Sequence, residues 1–462
     1  MKEILIFICS FFYITANAQI EISPLSSGVD SSPSIGRLGV NRLYTDTVDN
    51  VLYAVGGFSS MGGKKCFGIA KWDGQSWDSL GSGIREFLFY DGIQNVEDVI
   101  RFQNDIYICG AFYKCGGKDI FGIARWNGTQ WDSVGTRMRF FNEGNFSYPS
   151  VKDMEVINNE LYVVGNFTSI GNVITIGVAK WDGQNWTDLS QGIVNPYPSN
   201  SYSSLMFYKN ELYLAGIGSI GLLKRVGNSW VKVGPGVKGD AWVNRLEVYQ
   251  NNLYVAGYFQ TPAGNIDNSL LYTNGAFYFG TAGGVLPSNL FDIQEYKTEL
   301  YACGQMDFAG FQPVSRIAKW NGSQWYNTNL NIQVIGSSKA GTPTAMEVYN
   351  EELIIAGNFS AVNGVQTWHI ASIDFGTVGV SNLSQGVGIK LFPNPAQTQV
   401  RIELDKNAKL QEIRLFNAIG QLVLQQNATT ENILDVSKLA KGIYVVHVQS
   451  DKGVLREKLM VE

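Results

Sequence analysis

A short apolar run ending on glycine recurs seven times along the 462-residue chain: LYAVG, IYICG, LYVVG, LYLAG, LYVAG, LYACG and LIIAG. The terminal glycines are Gly56, Gly110, Gly165, Gly216, Gly257, Gly304 and Gly357, spaced 41–55 residues apart. A period of roughly 40–50 residues marks a radial array of small β-sheets, each able to bury its faces only against its neighbours. The expected fold class is therefore all-β. With 51 glycines and 13% aromatic residues, the composition suits many short strands and tight turns. Charged residues are scarce at 16% and the net charge is −5. No basic stripe is present, which argues against a nucleic-acid partner.

The second repeat shows the unit. VEDVIRF, IYICGAF, FGIARW and TQWDSV read as four successive strands. The third and fourth meet at Asn127-Gly128, as they do at Asp73-Gly74, Asp182-Gly183, Asn274-Gly275 and Asn321-Gly322, pairs that tolerate positive φ. Tryptophans bracket that hairpin at Trp72/Trp77, Trp126/Trp131, Trp181/Trp186 and Trp320/Trp325, a recurrence that points to packing between sheets. The last repeat stops after HIASIDF without a fourth strand. Ile22–Val29 aligns without gaps to Trp77–Ile84, so residues near 20–26 are expected to supply that strand and close a ring of seven four-stranded blades.

These repeats resemble the kelch family of β-propellers in the apolar-Tyr run, the Gly56-Gly57 doublet, Trp72-Asp73, Trp77 and Leu80. The resemblance covers about residues 20–375 and implies a seven-bladed β-propeller. Ahead of it, Lys2, the apolar Ile4–Ile14 stretch and Ala16-Asn17-Ala18 read as a signal peptide over residues 1–18. The propeller is placed at 19–375 and a small-residue linker at 376–388. No later segment is long enough to span a membrane.

From 389 to 462 the repeat gives way to short alternating strands that fit a small β-sandwich. The stretch resembles the C-terminal sorting domain of the type IX (Por) secretion system of Bacteroidetes. Its matches are Leu391-Phe392-Pro393-Asn394-Pro395-Ala396, then Leu415-Phe416-Asn417-Ala418-Ile419-Gly420-Gln421, then Lys441-Gly442-Ile443-Tyr444, and Lys458 in the last strand. The resemblance implies export to the outer cell surface or beyond, with the secretion machinery and its sortase as partners.

Chemistry is sparse. His369 and His447 are the only histidines, so a propeller triad has only His369, without an evident serine partner. The cysteines lack metal-ligand spacing, and Gly62-Gly63-Lys64 lacks the rest of a P-loop. No cofactor or metal is expected. Cys66 and Cys115 lie in loops of neighbouring repeats and could bridge.

Two groups face the side that carries the long connections. Aligned inner strands place Arg42, Asp98, Asp153, Ser204, Arg245, Asp292 and Ala345 at a channel mouth. This ring could hold a polar ligand, or its charges could satisfy one another. Aromatic loops carry Phe87, Phe89 and Tyr90; Arg137, Arg139, Phe140, Phe141 and Tyr148; Tyr197 and Tyr202; and Trp242. They suit stacking on sugars or a protein hot spot, or they fold down as a cap. The main expectation is a secreted, non-catalytic module that binds a glycan or a protein. The alternatives are a polysaccharide hydrolase or lyase that uses Asp98 and Asp153 as acid and base, and a structural surface protein.

Overall fold

The computed structural model describes residues 20–29, 39–84, 95–135, 138–139, 149–193, 201–218, 221–234, 238–260, 270–274, 278–281, 285–286, 289–337, 340–376, 389–404, 409–417, 422–427, 432–450 and 453–462. None of these is helical. The chain divides into two compact units, Ile22–Asp374 and one that holds Phe375–Glu462.

In the first unit each repeat builds a four-stranded antiparallel meander. Repeat one runs Val40–Asp46, Val51–Gly56, Ile69–Trp72 and Trp77–Ser79. The first strand is the inner one. It packs against the first strand of repeat two, Asn95–Phe102, and against Thr342–Tyr349 of repeat seven. Repeats four and five fuse into an eight-stranded sheet through Ile217↔Trp242 and Gly218↔Ala241. In the last sheet, Thr342–Tyr349, Glu352–Asn358 and Ile370–Asp374 are joined at the edge by Glu21–Pro24, from the other end of the unit.

Local sequence explains the meander. Two-residue turns join the inner and second strands. Asn158-Asn159, Gln250-Asn251, Lys297-Thr298 and Asn350-Glu351 all take positive φ at both residues, the twist that matches paired strands. At the third-to-fourth turn the Asp73 carboxylate accepts the N–H groups of Gln75 and Ser76 at 2.8 and 2.7 Å, and Asn127, Asp182 and Asn321 repeat the arrangement. The connection between strands two and three, read from sequence as a loop, instead contains a miniature hairpin such as Lys114–Cys115 with Lys118–Asp119.

Tryptophan ties one sheet to the preceding one. The indole N–H of Trp131 donates to Leu80 O at 2.9 Å, that of Trp186 to Val134 O at 3.1 Å, and that of Trp230 to Leu189 O at 2.7 Å. Trp77 makes the same bond to Leu25 O at 3.0 Å, so Leu25 stands where Leu80 stands one sheet later. Trp77 and Trp131 are each 1% exposed, which makes them core rather than a binding stripe. No disulfide joins Cys66 to Cys115. Both are buried, and the Cys66 thiol donates to Lys64 O at 3.4 Å.

The second unit is a sandwich. Ile389–Phe392, Gln399–Leu404 and Ile433–Asp435 form one sheet. Leu422–Asn427, Leu410–Asn417, Gly442–Ser450 and Gly453–Val461 form the other. Ile402, Ile413, Leu415, Val446, Val448 and Leu459 fill the core. The short strand Ile433–Asp435 is not apparent in the sequence reading.

Candidate functional site

Each inner strand carries a β-bulge near its start. The register shifts fall between Val40/Arg42, Val96/Asp98, Val151/Asp153, Tyr202/Ser204, Val243/Arg245, Leu290/Asp292 and Pro343/Ala345. A regular strand alternates its side chains, but a bulge turns two consecutive ones the same way. Here they converge on one cavity of about 270 Å³, lined by the pairs Asn41/Arg42, Glu97/Asp98, Lys152/Asp153, Asn244/Arg245 and Phe291/Asp292, with Ser201, Ser203 and Ile217.

Both bulge residues also tie sheets together. Among the first of each pair, Asn41 Nδ2 donates to Val96 O at 2.8 Å, Asn244 Nδ2 to Leu290 O at 2.7 Å, and Thr344 Oγ1 to Val40 O at 2.7 Å. Among the second, Asp98 Oδ2 accepts the Met154 N–H at 2.9 Å, Asp153 Oδ2 that of Leu205 at 2.8 Å, and Asp292 Oδ2 that of Met346 at 2.8 Å. Ser204 Oγ accepts the Leu246 N–H at 3.2 Å. Each bond runs from one inner strand to the next, and Thr344 runs from the seventh to the first.

The remaining carboxylate oxygens meet arginine. Arg42 lies 3.2 Å from Asp98 and 3.7 Å from Asp153; Arg245 lies 3.4 Å from Asp292 and 4.0 Å from Asp153. Each guanidinium is thus bracketed by two aspartates, while the buried Nε of Arg245 has no hydrogen-bond partner among the described residues. Burial pushes Asp98 up to about 7 and Asp292 to about 6, with Arg42 opposing in both cases. Asp153 is raised for the same reason. Burial alone would lower Arg42, but Asp98, Asp153 and Asp292 together hold it above its ordinary value.

Two residues further along the inner strands stand three glutamates. Burial raises Glu155 to about 8, Glu247 to about 7 and Glu347 to about 7, with Asp153 and Asp98 adding to the rise at Glu155 and Asp292 at Glu247. Above the usual carboxylate range the folded chain therefore keeps protons that the unfolded chain has released, and stability falls as pH rises through the folded values. The urea midpoint of the repeat unit is expected to be lower at about pH 8.5 than at about pH 5.5, and Glu155→Gln is expected to flatten the slope. A midpoint that climbs over that interval would contradict this.

The aromatic residues sort differently from expectation. Tyr202 is 2% exposed and occupies the core position held by Val96 and Val151 in other repeats, so it is not part of an exposed crescent. Trp242 lies not in a loop but in the strand Lys238–Tyr249, half-exposed. Arg139 is exposed and donates its backbone N–H to Ser169 O at 3.1 Å. Phe87, Phe89, Tyr90, Arg137, Phe140, Phe141, Tyr148 and Tyr197 fall outside the described residues. Sequence reasoning missed Tyr258, the cross-strand partner of Trp242, although its column holds non-aromatic residues in every other repeat. Among the described residues no cluster of His, Cys, Asp and Glu could hold a metal ion.

In the second unit the Pro393-Asn394-Pro395 motif staples the last strand. Asn394 Nδ2 donates to Lys458 O at 2.6 Å and Asn394 Oδ1 accepts the Met460 N–H at 2.9 Å. Ala396 N–H donates to Met460 O at 2.8 Å, and Glu462 N–H returns to Ala396 O at 2.9 Å. Tyr444 is buried and its hydroxyl donates to Ala440 O at 2.7 Å. Gly442 and Lys458 are exposed; Gly420 lies outside the described residues.

Residues 390–462 match the secretion system C-terminal sorting domain family. This sorting domain directs export by the type IX system to the cell surface or the medium, and interaction with that machinery goes with it. No curated protein matches the chain. Among solved structures, the extracellular domain assigned to a hybrid two-component system of B. thetaiotaomicron is 8% identical, with a TM-score of 0.48, over 96% of this chain and 59% of its own. One assigned to a one-component system of the same organism is 8% identical, with a TM-score of 0.46, over 96% and 58%. That of another hybrid two-component system is 10% identical, with a TM-score of 0.46, over 95% and 57%. The chain thus spans less than two thirds of these structures.

Proposed function

We propose that residues 19–375 form a closed, kelch-like seven-bladed propeller, and that it serves outside the cell as a non-catalytic module binding a glycan or a protein. In support of closure, Thr344 bonds Val40 O, Tyr349 Oη bonds Asn50 O at 3.1 Å, and Trp77 bonds Leu25 O, all joining the seventh sheet to the first. Residues 1–18 act as the signal peptide, 376–388 as the linker, and 389–462 as the sorting domain that the secretion machinery and its sortase engage.

The observation that carries the binding reading is the commitment of the carboxylates. One oxygen of Asp98 and of Asp153 holds a backbone N–H of the next sheet and the other faces Arg42. A general acid or base needs an oxygen within reach of the substrate proton, and these are engaged in holding sheets together. The test uses the full chain against immobilised polysaccharides, scored for retention and for chain shortening. Retention without shortening is expected. Shortening that disappears in Asp98→Asn would instead establish the hydrolase or lyase alternative.

A further inference from the structure

The fifth repeat breaks the pattern at one place. Its first two strands, Lys238–Tyr249 and Asn252–Gln260, have 12 and 9 residues, against 8 and 7 in repeat two. The extra length lies at the ends nearest the cavity, where Trp242 pairs with Tyr258 on one side and with Ile217 on the other. Directly opposed residues of neighbouring strands project from the same face of a sheet. Ile217, Trp242 and Tyr258 therefore form one row across three strands, and Ile217 lines the cavity. Trp242 is 50% exposed and Tyr258 49%, although both lie within strands. Other repeats fill these two columns with Asn95/Ala111, Ser150/Asn166 and Asn289/Gln305. Sheet packing therefore does not require aromatic rings there.

We infer that this row is the stacking platform of a carbohydrate site, taking the pyranose face of a neutral oligosaccharide whose end enters the cavity. This rests on the binding reading above and assigns its ligand class and place. Aromatic faces attract the apolar side of a ring whose edge is polar. Two and three residues along the strand from Trp242, Asn244 and Arg245 line the cavity with Ser201, placing amide, guanidinium and hydroxyl groups beside the platform. The ligand is neutral because the arginines are already compensated: Arg245 faces Asp292 and Asp153, and Arg42 faces Asp98 and Asp153. A cavity of about 270 Å³ accepts a sugar-sized group and falls below the range of about 300–1,000 Å³ typical of larger ligands.

The test measures affinity of the full chain for soluble gluco-, manno- and xylo-oligosaccharides by calorimetry. Trp242→Ala and Tyr258→Ala are each expected to weaken binding about fivefold or more. Phe311→Ala, at a residue 83% exposed in the sixth repeat, is the control and is expected to leave binding unchanged. Unaltered affinity in Trp242→Ala/Tyr258→Ala overturns the platform and leaves the binding reading standing. Failure of the unsubstituted chain to bind any of these sugars overturns the carbohydrate assignment, and capture of an extracellular protein through Trp242 would then show a protein site in its place. Failure to bind either sugar or protein overturns the binding reading itself.

Discussion

Asp153→Ala is expected to lower the unfolding free energy of the repeat unit by about 3–5 kcal/mol at about pH 8, the cost of breaking a buried ion pair from one side. Asp153 is the most heavily used carboxylate of the ring. Its Oδ2 accepts the Leu205 N–H at 2.8 Å and the Ser204 hydroxyl at 3.1 Å, while Oδ1 faces Arg42 and Arg245. Truncation leaves a buried N–H without its acceptor and removes one of the two carboxylates that flank each guanidinium. Asp153→Asn separates the two contributions, because an amide oxygen still accepts from Leu205 but offers the arginines no charge. It is expected to cost roughly half as much as Ala. Urea unfolding followed by tryptophan fluorescence reads this directly, since all 11 tryptophans lie before residue 369 and none in the sorting domain. A loss below about 1 kcal/mol in Asp153→Ala would show that the ring's charges do not hold the sheets.

The parts of this molecule that a sequence can show are those it repeats. The match of Ile22–Val29 to Trp77–Ile84 has a direct spatial counterpart. Val29 N–H bonds Trp368 O at 3.0 Å as Ile84 N–H bonds Phe67 O at 3.0 Å, and Gly62 N–H bonds Gly28 O as Gly116 N–H bonds Gly83 O. The column containing Arg42, Asp98 and Asp153 could likewise be picked out, because an apolar residue follows it in every repeat. Its role could not. The partner of each carboxylate is a backbone N–H some 50 residues away, and main-chain donors leave no trace in residue type. The bulge was hidden for a related reason: an extra residue in one strand becomes visible only once its register partner is known. Tyr202 was misplaced because an aromatic beside an unassigned loop looks exposed, whereas its column, with Val96 and Val151, identifies it as core. Trp242 and Tyr258 carry the opposite signal, since they depart from columns that are otherwise non-aromatic.

Gly110→Ala is expected to cost about 3 kcal/mol or more, for a reason that links the repeated glycine to the cavity. A Cβ on Gly110 would stand 2.0 Å from Asn95 O, and one on Gly56, Gly165, Gly257, Gly304 or Gly357 would stand 2.0–2.4 Å from the equivalent carbonyl. In each case the oxygen belongs to the residue immediately before the bulge of the inner strand. The bulge brings that carbonyl toward the second strand, and glycine is the residue that leaves room for it. Backbone conformation is not the constraint at Gly110, which lies outside the positive-φ set, so the loss measures space alone. Gly39→Ala provides the matched control in the same region, because a Cβ there meets nothing within 4 Å and the change is expected to stay within about 0.5 kcal/mol. Since the inner strand can relieve the clash only by giving up its bulge, Gly110→Ala should also turn Asp98 away from Met154 N–H. Slowed hydrogen exchange at that amide should then be lost in the variant while protection of the Trp126/Trp131 hairpin persists. Retained protection at Met154, or a stability matching that of Gly39→Ala, would separate the glycine from the bulge and leave the seven-fold recurrence without this physical cause.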